Sequence, residues 1–347
     1  MRTLPQGLKP QIIAEANVRA KARTYLRSKS PNIRNKRLGR AALVIGCLLL
    51  AGVQAWGATF YVTVAGLGGE PDYEQRFTAN AMDLDKIFKS SMGAHVFTLT
   101  GKQSTKAKLT EVMAQVAREA KAEDDLVVTL IGHGSFDGVE YKFNLVGPDV
   151  TAAELAALCD KVAAKRQLIV DTSSASGGAV AALERPGRAV IVATKSGTEK
   201  NATVFARYWV EALQDPTADT DKSDSISAME AFAYAERKTA DFYTSQKRLA
   251  TEHAEFEDTG KGEAVKATTA ESREGALMAT LTVVRIGAAQ AAMNDPAKRD
   301  LMMKKEDLEQ KIDGLKYQKA AMEPGEYKKE LTAALVELAK VQEALDK

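Results

Sequence analysis

Two stretches decide the fold: LVVTLIGHGS, residues 126–135, and LIVDTSSASGG, residues 168–178. Each begins as a short uninterrupted apolar run, which is typical of a strand buried on both faces of a parallel sheet. The first then ends on His133 between two glycines, and the second ends on Ser173, Ser174 and Ser176. Because parallel strands present their carboxyl ends at one edge, where α/β proteins place their chemistry, we expect His133 and Ser174 to meet there.

Strand and helix patterns alternate on both sides of these stretches. The predicted strands are residues 59–66, 94–101, 126–132, 167–171 and 188–197. The predicted helices are residues 72–91, 105–120, 151–164, 177–184, 201–213 and 227–248. Such alternation requires right-handed crossovers. The predicted fold class is therefore α/β, a mainly parallel sheet with helices on both faces.

Changes in composition divide the chain into four parts. Residues 1–58 form a basic leader, and residues 59–250 form the α/β domain. Residues 251–296 connect it to the C-terminal part, and within them ALMATLTVVRIGAAQ, residues 276–290, fits either a strand or a helix. Residues 297–347 show two helical patterns separated by EPGE, which predicts a coiled-coil-like helical hairpin. The hairpin is expected either to cap the domain or to bind a partner.

Charge is distributed unevenly along the chain. Residues 1–40 carry eleven Lys or Arg and one Glu, a net of +10; since the whole chain is +2, the other 307 residues carry −8. A mildly acidic body without a basic stripe argues against nucleic-acid binding.

The uncharged run at residues 41–55 follows this basic segment. The pattern fits an export signal cleaved after Ala55 or Ala58, or an uncleaved anchor formed by residues 41–58. Either reading places the domain outside the cytoplasm, in the periplasm or the extracellular space, with membrane contact only through the N-terminal segment.

The motifs at the strand ends resemble those of caspase-like cysteine peptidases, and most closely the legumain family of asparaginyl endopeptidases. In that family a strand ending Val-Ala-Gly precedes Asn-Tyr-Arg; VTVAG here precedes Asp72-Tyr73-Glu74. The family's His-Gly-Ser corresponds to residues 133–135, and its Glu-Ala-Cys-Glu-Ser-Gly corresponds to residues 172–177. A following strand that ends Tyr-Ala-Thr matches VIVATKS. The likeness covers residues 59 to about 245.

The resemblance implies a role for each matched position. His133 is expected to be the general base, Ser174 to occupy the nucleophile position, and the amides of Gly134 and Ser174 to form an oxyanion hole. The differences are that serine replaces the nucleophilic cysteine and Asp72 replaces the asparagine. Glu74 and Thr172 stand in place of the arginine and glutamate that recognise the substrate amide, so cleavage after asparagine is not expected.

A serine at this position needs more support than a cysteine. A free thiol has a pKa of about 8.5 and can be held as thiolate, whereas a serine hydroxyl needs an oriented base within about 2.6–3.2 Å. Asp72 is the candidate for the third member of a Ser-His-Asp triad. Asp171 is a poorer candidate, since its side chain is expected on the other face from Thr172. The single thiol of the domain, Cys159, is predicted to be a buried helix residue and not a nucleophile.

Two functional hypotheses follow. One is a non-catalytic domain that binds a peptide or protein in the cleft; the other is a peptidase-like hydrolase that uses Ser174 and His133. No cofactor is expected for either.

One segment has the spacing of a calcium-binding loop. Its oxygen-bearing side chains, at positions 1, 3, 5, 7, 9 and 12, are Asp219, Asp221, Ser223, Ser225, Ser227 and Glu230. Position 6, usually glycine, is Asp224. The alternative is a solvated linker in which Ser227 and Glu230 form a capping box for the next helix.

Overall fold

The computed structural model describes residues 57–268 and 273–347. Its centre is a six-stranded sheet in the order β10-β8-β7-β3-β1-β2. The six strands are β1 (Thr59–Ala65), β2 (Ala94–Leu99), β3 (Asp125–Ile131), β7 (Arg166–Asp171), β8 (Arg188–Val192) and β10 (Glu255–Glu257). All neighbours pair in parallel except β10, which pairs antiparallel with β8 at the sheet edge. The predicted mainly parallel α/β fold is confirmed.

The apolar runs explain why these segments form the central strands. In β8 all five residues are buried, and in β3 every residue after Asp125 is buried. Such strands have no solvent-facing side, so both faces of the sheet must be covered. Successive residues contribute to opposite cores: Tyr61 and Val127 pack on one face, while Phe60 and Val128 pack on the other.

Helices cover both faces. In chain order they are α1 (Pro71–Lys89), α2 (Lys106–Glu119), α3 (Ala152–Cys159), α4 (Val180–Leu183), α5 (Phe205–Ala212), α6 (Ala228–Ser245), α7 (Ala276–Thr280), α8 (Gly287–Asn294), α9 (Arg299–Gln318) and α10 (Pro324–Leu345). Helices α1, α5 and α6 pack on the face that includes Tyr61. Helices α2, α3 and α4 pack on the opposite face, where Cys159 is fully buried as predicted.

Two small sheets were not predicted from the sequence. One is formed by β4 (Gly134–Phe136), β5 (Tyr141–Phe143) and β6 (Val150–Thr151), which directly follow His133. The other pairs β9 (Ser225–Ser227) with β11 (Thr282–Arg285). The undecided segment at residues 276–290 is helical in α7, extended in β11, and helical again from the start of α8.

The chain after residue 250 completes the same sheet. Phe256 of β10 is fully buried in the core on the Tyr61 face, together with Met278, Leu281 and Val283. Residues 251–296 therefore supply an edge strand and core side chains of the α/β unit as well as connecting it to the C-terminal helices.

The C-terminal residues form two helices, α9 and α10, that pack on each other. Arg285 donates two hydrogen bonds to the Glu306 carboxylate of α9, at 2.8 and 3.1 Å. Lys305 donates to the carbonyl oxygen of Ser223 at 2.8 Å. Helix α9 is thus docked on the α/β unit, which is the capping arrangement; the partner-binding role of the hairpin and its coiled-coil character stay predictions.

No helix within residues 57–268 and 273–347 is long and apolar enough to cross a membrane. The predicted signal or anchor segment lies, up to residue 56, outside the described residues.

Glu306→Ala tests the docking of α9. The Glu306 side chain is 5% exposed and its partner Arg285 is 23% exposed, so the substitution leaves a mostly buried guanidinium without its carboxylate. We expect the free energy of unfolding to fall by about 1–3 kcal/mol, measured by urea denaturation. Glu337→Ala is the matched control, because its ion pairs with Lys304 and Lys340 are exposed to solvent and their loss should leave stability nearly unchanged. Equal losses in the two variants would contradict the docking role.

Candidate functional site

Strands β3 and β7 bring the two predicted motifs to one edge of the sheet. They pair in parallel with Leu130 opposite Asp171, so His133 and Ser174 follow the same end of neighbouring strands. Gly134, directly after the histidine, is hydrogen-bonded to Ser174. The expected meeting of the two motifs at one edge is therefore what the structure shows.

The Ser174 hydroxyl forms two hydrogen bonds with the backbone of Gly134. Its oxygen accepts from the Gly134 amide at 3.1 Å, and the hydroxyl donates to the Gly134 carbonyl oxygen at 3.0 Å. Ser174 is 2% exposed. A Cβ at position 134 would lie 2.5 Å from the Ser174 carbonyl oxygen, so only glycine permits this approach. The amide that the resemblance assigns to an oxyanion hole is already a donor to the serine.

His133 lies half-buried against aromatic rings. The rings of Tyr73 and Phe77, both from α1, lie roughly perpendicular to its imidazole, with centroids 4.6 and 5.1 Å away. Burial lowers the pKa of His133 from its usual value, and the positive charge of Arg76 lowers it further. The backbone of Gly68 and the charge of Glu70 act in the opposite direction without reversing the shift. The imidazole is therefore neutral at neutral pH.

Asp72 does not occupy the place predicted for the third member of a triad. It is exposed in the first turn of α1, and among the described residues its side chain forms no hydrogen bond or ion pair with His133. Residues 73 and 77 are four apart on a helix and share one face, whereas residue 72 is rotated about 100° away. Two aromatic rings therefore flank the imidazole where a carboxylate was expected.

The two positions predicted for substrate recognition have local partners. Glu74 accepts a hydrogen bond from the Gly68 amide at 2.9 Å and so shapes the loop after β1. Thr172 is 1% exposed, and its hydroxyl donates to the Leu130 carbonyl oxygen at 2.8 Å, which ties β7 to β3. Part of Thr172 also lines a cavity described below.

The loop that carries Ser173, Ser174 and Ser176, called the serine loop below, covers a buried polar network. This network was not predicted from the sequence. The Asp171 carboxylate accepts from the amide and the hydroxyl of Ser173, at 3.0 and 2.7 Å, and Tyr141 lies 2.6 Å from the same hydroxyl. Burial raises the pKa of Asp171, and burial together with Asp171 raises that of Tyr141 well above its usual value. Tyr141 belongs to β5, and because that hairpin was not predicted, no sequence signal pointed to this contact.

The far side of the serine loop is held by the segment after β8. Ala175 adopts a left-handed conformation with φ 58°, and its amide donates to the Glu199 carbonyl oxygen at 2.8 Å. The Ser176 hydroxyl oxygen accepts from the amides of Ala193 and Thr194, at 3.1 and 3.2 Å. Ser173, Ser174 and Ser176 are thus all engaged in holding the loop, which accounts for the hydroxyl cluster.

A cavity of about 300 Å³ opens between α1 and α5 beside this edge. Its polar lining includes Arg76, Asn80, Thr172, Thr203 and Arg207, and its apolar lining includes Phe77, Val204 and Phe242. Phe77 also contacts the His133 ring, so the cavity adjoins the histidine. Sequence reasoning missed it because the two arginines are far apart in the chain and belong to no motif.

The predicted calcium loop brings three carboxylates together. Ligand atoms of Asp219, Asp221 and Glu230 lie within 4.8 Å of one another. Burial and the nearby charge of Asp221 raise the pKa values of Asp219 and Glu230. Asp224, at the position usually held by glycine, has φ 65°.

Other contacts of this loop favour the alternative interpretation. Ser227 and Glu230 form the capping box of α6, and the Ser223 and Ser225 hydroxyls bond to each other at 2.9 Å. Calcium binding stays a prediction.

Comparisons with known proteins give no family for this chain. No family model matches it, and no curated protein matches it. Many solved structures are similar to it, and two of them serve as examples. Protein GSU0716 from Geobacter sulfurreducens has 16% identity and a TM-score of 0.40, with coverage of 59% of this chain and 94% of that one. The Drosophila initiator caspase Dronc has 10% identity and a TM-score of 0.40, with coverage of 68% of this chain and 95% of that one. Likenesses at this level carry no argument about function.

We expect the pKa of His133 to lie below its usual value of 6.5. Arg76→Gln should raise the pKa of His133, because the substitution removes a nearby positive charge. NMR titration of the three histidines measures this. Since the unfolded chain binds this proton more readily than the folded one, His133 lowers stability as the pH falls below about 6.5. Arg118→Gln, on the opposite face of the sheet, is the control and should leave the pKa of His133 unchanged. A pKa of His133 at or above 6.5 in the unsubstituted protein would contradict the prediction.

If the three carboxylates bind calcium, Ca²⁺ should raise the melting temperature by an amount on the order of 5 °C at saturating concentration, because it binds only the folded state. Asp221→Asn should abolish the increase, and Asp241→Asn, an exposed acid on α6, should keep it. Thermal melts with and without calcium measure this. An unchanged melting temperature would contradict calcium binding and favour the interpretation of the segment as a linker with a helix-capping box.

Proposed function

We propose that this chain is a non-catalytic, caspase- or legumain-like domain that binds a peptide or protein in the cleft at the carboxyl edge of its sheet. Support for the fold relationship comes from the placement of His133 and Ser174 after neighbouring parallel strands. The sequence motifs quoted above support the legumain-like alignment, in which Ser174 stands at the nucleophile position.

The observation that carries the proposal is the pair of hydrogen bonds between the Ser174 hydroxyl and Gly134. A serine nucleophile must give its proton to a base within hydrogen-bond reach. Here the proton points to a peptide carbonyl oxygen, which is not a base. The Gly134 amide, the donor that a tetrahedral oxyanion would need, is directed at the serine oxygen.

The surroundings of His133 support the same conclusion. In a Ser-His-Asp triad a carboxylate fixes the imidazole and stabilises its protonated form. The rings of Tyr73 and Phe77 pack against His133 instead, and burial with the charge of Arg76 lowers the pKa of His133 and so disfavours its protonated form. Both effects oppose the imidazolium that acyl transfer requires.

Features of the cleft that suit binding are retained. A cavity of about 300 Å³ adjoins His133, and Leu67, in the loop after β1, is 43% exposed. Ligand-binding sites are usually cavities with mainly apolar surface and a few polar groups. A peptide held there would meet ordered loops, because hydrogen bonds fix the Ser174 loop on both sides.

The second candidate is a hydrolase that uses Ser174 and His133. The neutral imidazole on the same edge favours it, since a general base must be unprotonated at working pH. This function requires Ser174 to rotate away from Gly134 and to reach His133 before substrate attack.

Activity-based labelling separates the two candidates. The purified protein is treated with a fluorophosphonate and with a broad fluorogenic peptide library, with an active serine hydrolase as the positive control. We expect no labelling and no turnover, and we expect peptides selected from the library still to bind Ser174→Ala, with some loss of affinity because the loop loses its hydrogen bonds to Gly134. Ser135→Ala, an exposed neighbouring serine, is the control for the substitution. Labelling at Ser174 that disappears in His133→Ala, together with turnover, would establish the hydrolase.

A further inference from the structure

Helix α10 has a buried side and an outward side. Its buried residues are Ala334, Val341 and Leu345, and the last two pack in one apolar cluster with methionines of α9. Residues two positions apart on a helix are rotated by about 200°. Thr332 and Val336, two positions before and two after Ala334, therefore point away from α9. This outward side is called the outer face of α10 below.

A groove of about 640 Å³ lies on the outer face. Small or apolar residues line its middle and charged residues line its ends: Thr332, Ala333 and Val336 in the middle, with Lys328 and Lys329 at one end and Glu337 at the other. Small side chains in the middle allow the axis of a second helix to come close. The charges at the two ends determine which helix fits.

The two ends of the groove differ in charge. Lys328 and Lys329 are exposed and form no ion pair with any residue that the structure describes. At the other end, Glu337 accepts a hydrogen bond from Lys340 through Oε1 at 2.6 Å. Its Oε2 has only a long contact, 3.8 Å, with the Lys304 ammonium group. The groove therefore has an unpaired positive end and a carboxylate oxygen that is only loosely engaged.

This charge pattern is complementary to itself when two copies of α10 run antiparallel. In a two-fold contact whose axis passes between residues 332 and 333, positions equally far from the axis face each other. Lys328 then faces Glu337 of the second copy, and the same pair recurs on the other side of the axis. The two residues are nine positions apart, so they lie on opposite flanks of the outer face, about 180° around the helix, as this contact requires.

The opposite orientation is disfavoured by the same charges. Two parallel copies in register would place Lys328 beside Lys328 and Glu337 beside Glu337, and like charges repel. The pattern therefore selects the antiparallel arrangement.

The hairpin lies toward the end of the sheet opposite to His133. Arg166, the first residue of β7, donates a hydrogen bond to the Gln310 side-chain oxygen of α9 at 3.1 Å. His133 follows the other end of the neighbouring strand β3. A contact through the outer face of α10 therefore does not use the carboxyl edge.

We infer that the outer face of α10 binds the same face of a second copy of this chain and forms an antiparallel two-fold dimer. The contact is one helix wide and its charge pairs are exposed to solvent, so we expect weak association, with a Kd on the order of 10–100 µM. Well below this concentration the chain is monomeric and Glu337 keeps only its pairs with Lys304 and Lys340. The inference does not depend on the proposed function.

Charge reversal at the two ends of the groove tests the inference. Sedimentation velocity is measured on the full chain, from well below to well above the expected Kd, at low and high salt. The variants are Lys328→Glu, Glu337→Lys and the double variant Lys328→Glu/Glu337→Lys. Lys102→Glu is the matched control, because it makes the same charge change at an exposed lysine in the turn after β2.

We expect the unsubstituted chain to pass from monomer to dimer as its concentration rises, and the dimer to weaken as salt is raised. Each single reversal replaces two attractive pairs by two repulsive ones, so the Kd should increase about tenfold. The double variant exchanges the charges and should recover the original Kd. Lys102→Glu should leave it unchanged.

An equimolar mixture of Lys328→Glu with Glu337→Lys provides a second test. Each variant alone should stay monomeric where the unsubstituted chain dimerises, yet the mixture should associate, because both contacts of the mixed dimer join opposite charges. Association of the mixture also shows that both variants are folded at the contact.

Three results would overturn the proposal. The first is a chain that stays monomeric well above the expected Kd, which would leave the groove to solvent or to a different protein. The second is association that neither reversal weakens, which would place the contact elsewhere on the chain. The third is a mixture of the two single variants that associates no better than each variant alone.

Discussion

The site depends on the parallel pairing of β3 with β7. That register, with Leu130 opposite Asp171, places residues 133–134 beside residue 174 and allows the backbone of Gly134 to close on the Ser174 hydroxyl. A shift of one residue would turn every side chain of β7 to the other face. Asp171 would then leave the buried network, and Thr172 would lose its bond to the Leu130 carbonyl oxygen. The pairing that builds the core therefore also sets the chemistry of the edge.

A loop that carries a nucleophile is usually shaped so that one side chain reaches the substrate. In this chain the hydroxyls of the loop are used to hold it: Ser173 bonds to Asp171, Ser174 to Gly134, and Ser176 accepts from the backbone after β8. The buried Asp171, whose pKa is raised by burial, gives the loop a polar interior. The result is a loop held by hydrogen bonds along its length. Under the proposed function, such preorganisation would lower the entropy cost of binding a flexible peptide.

Much of the fold was predictable because buried parallel strands have a distinct apolar pattern. The strands around His133 and Ser174, and the meeting of their ends at one edge, followed from that pattern alone. The strands that were missed, such as β5 and β9, have three residues each, too few for an alternation to show.

Side-chain placement was predictable only in part. Asp72 was chosen by motif alignment, but helical geometry turns Tyr73 and Phe77 toward His133 instead. The pair formed by Arg76 and Arg207 depends on the packing of α1 near α5, and no local pattern encodes it.

The position of β10 has a consequence for how the chain must be assembled. The five parallel strands are complete by residue 192, yet the last position in the sheet is filled by residues 255–257, which run in the opposite direction. Contacts so distant in sequence form late in folding, because closing a long loop is entropically costly. A chain truncated after residue 250 would leave the backbone groups along β8 unpaired, and an open apolar edge of this kind can recruit a strand from another copy of the protein.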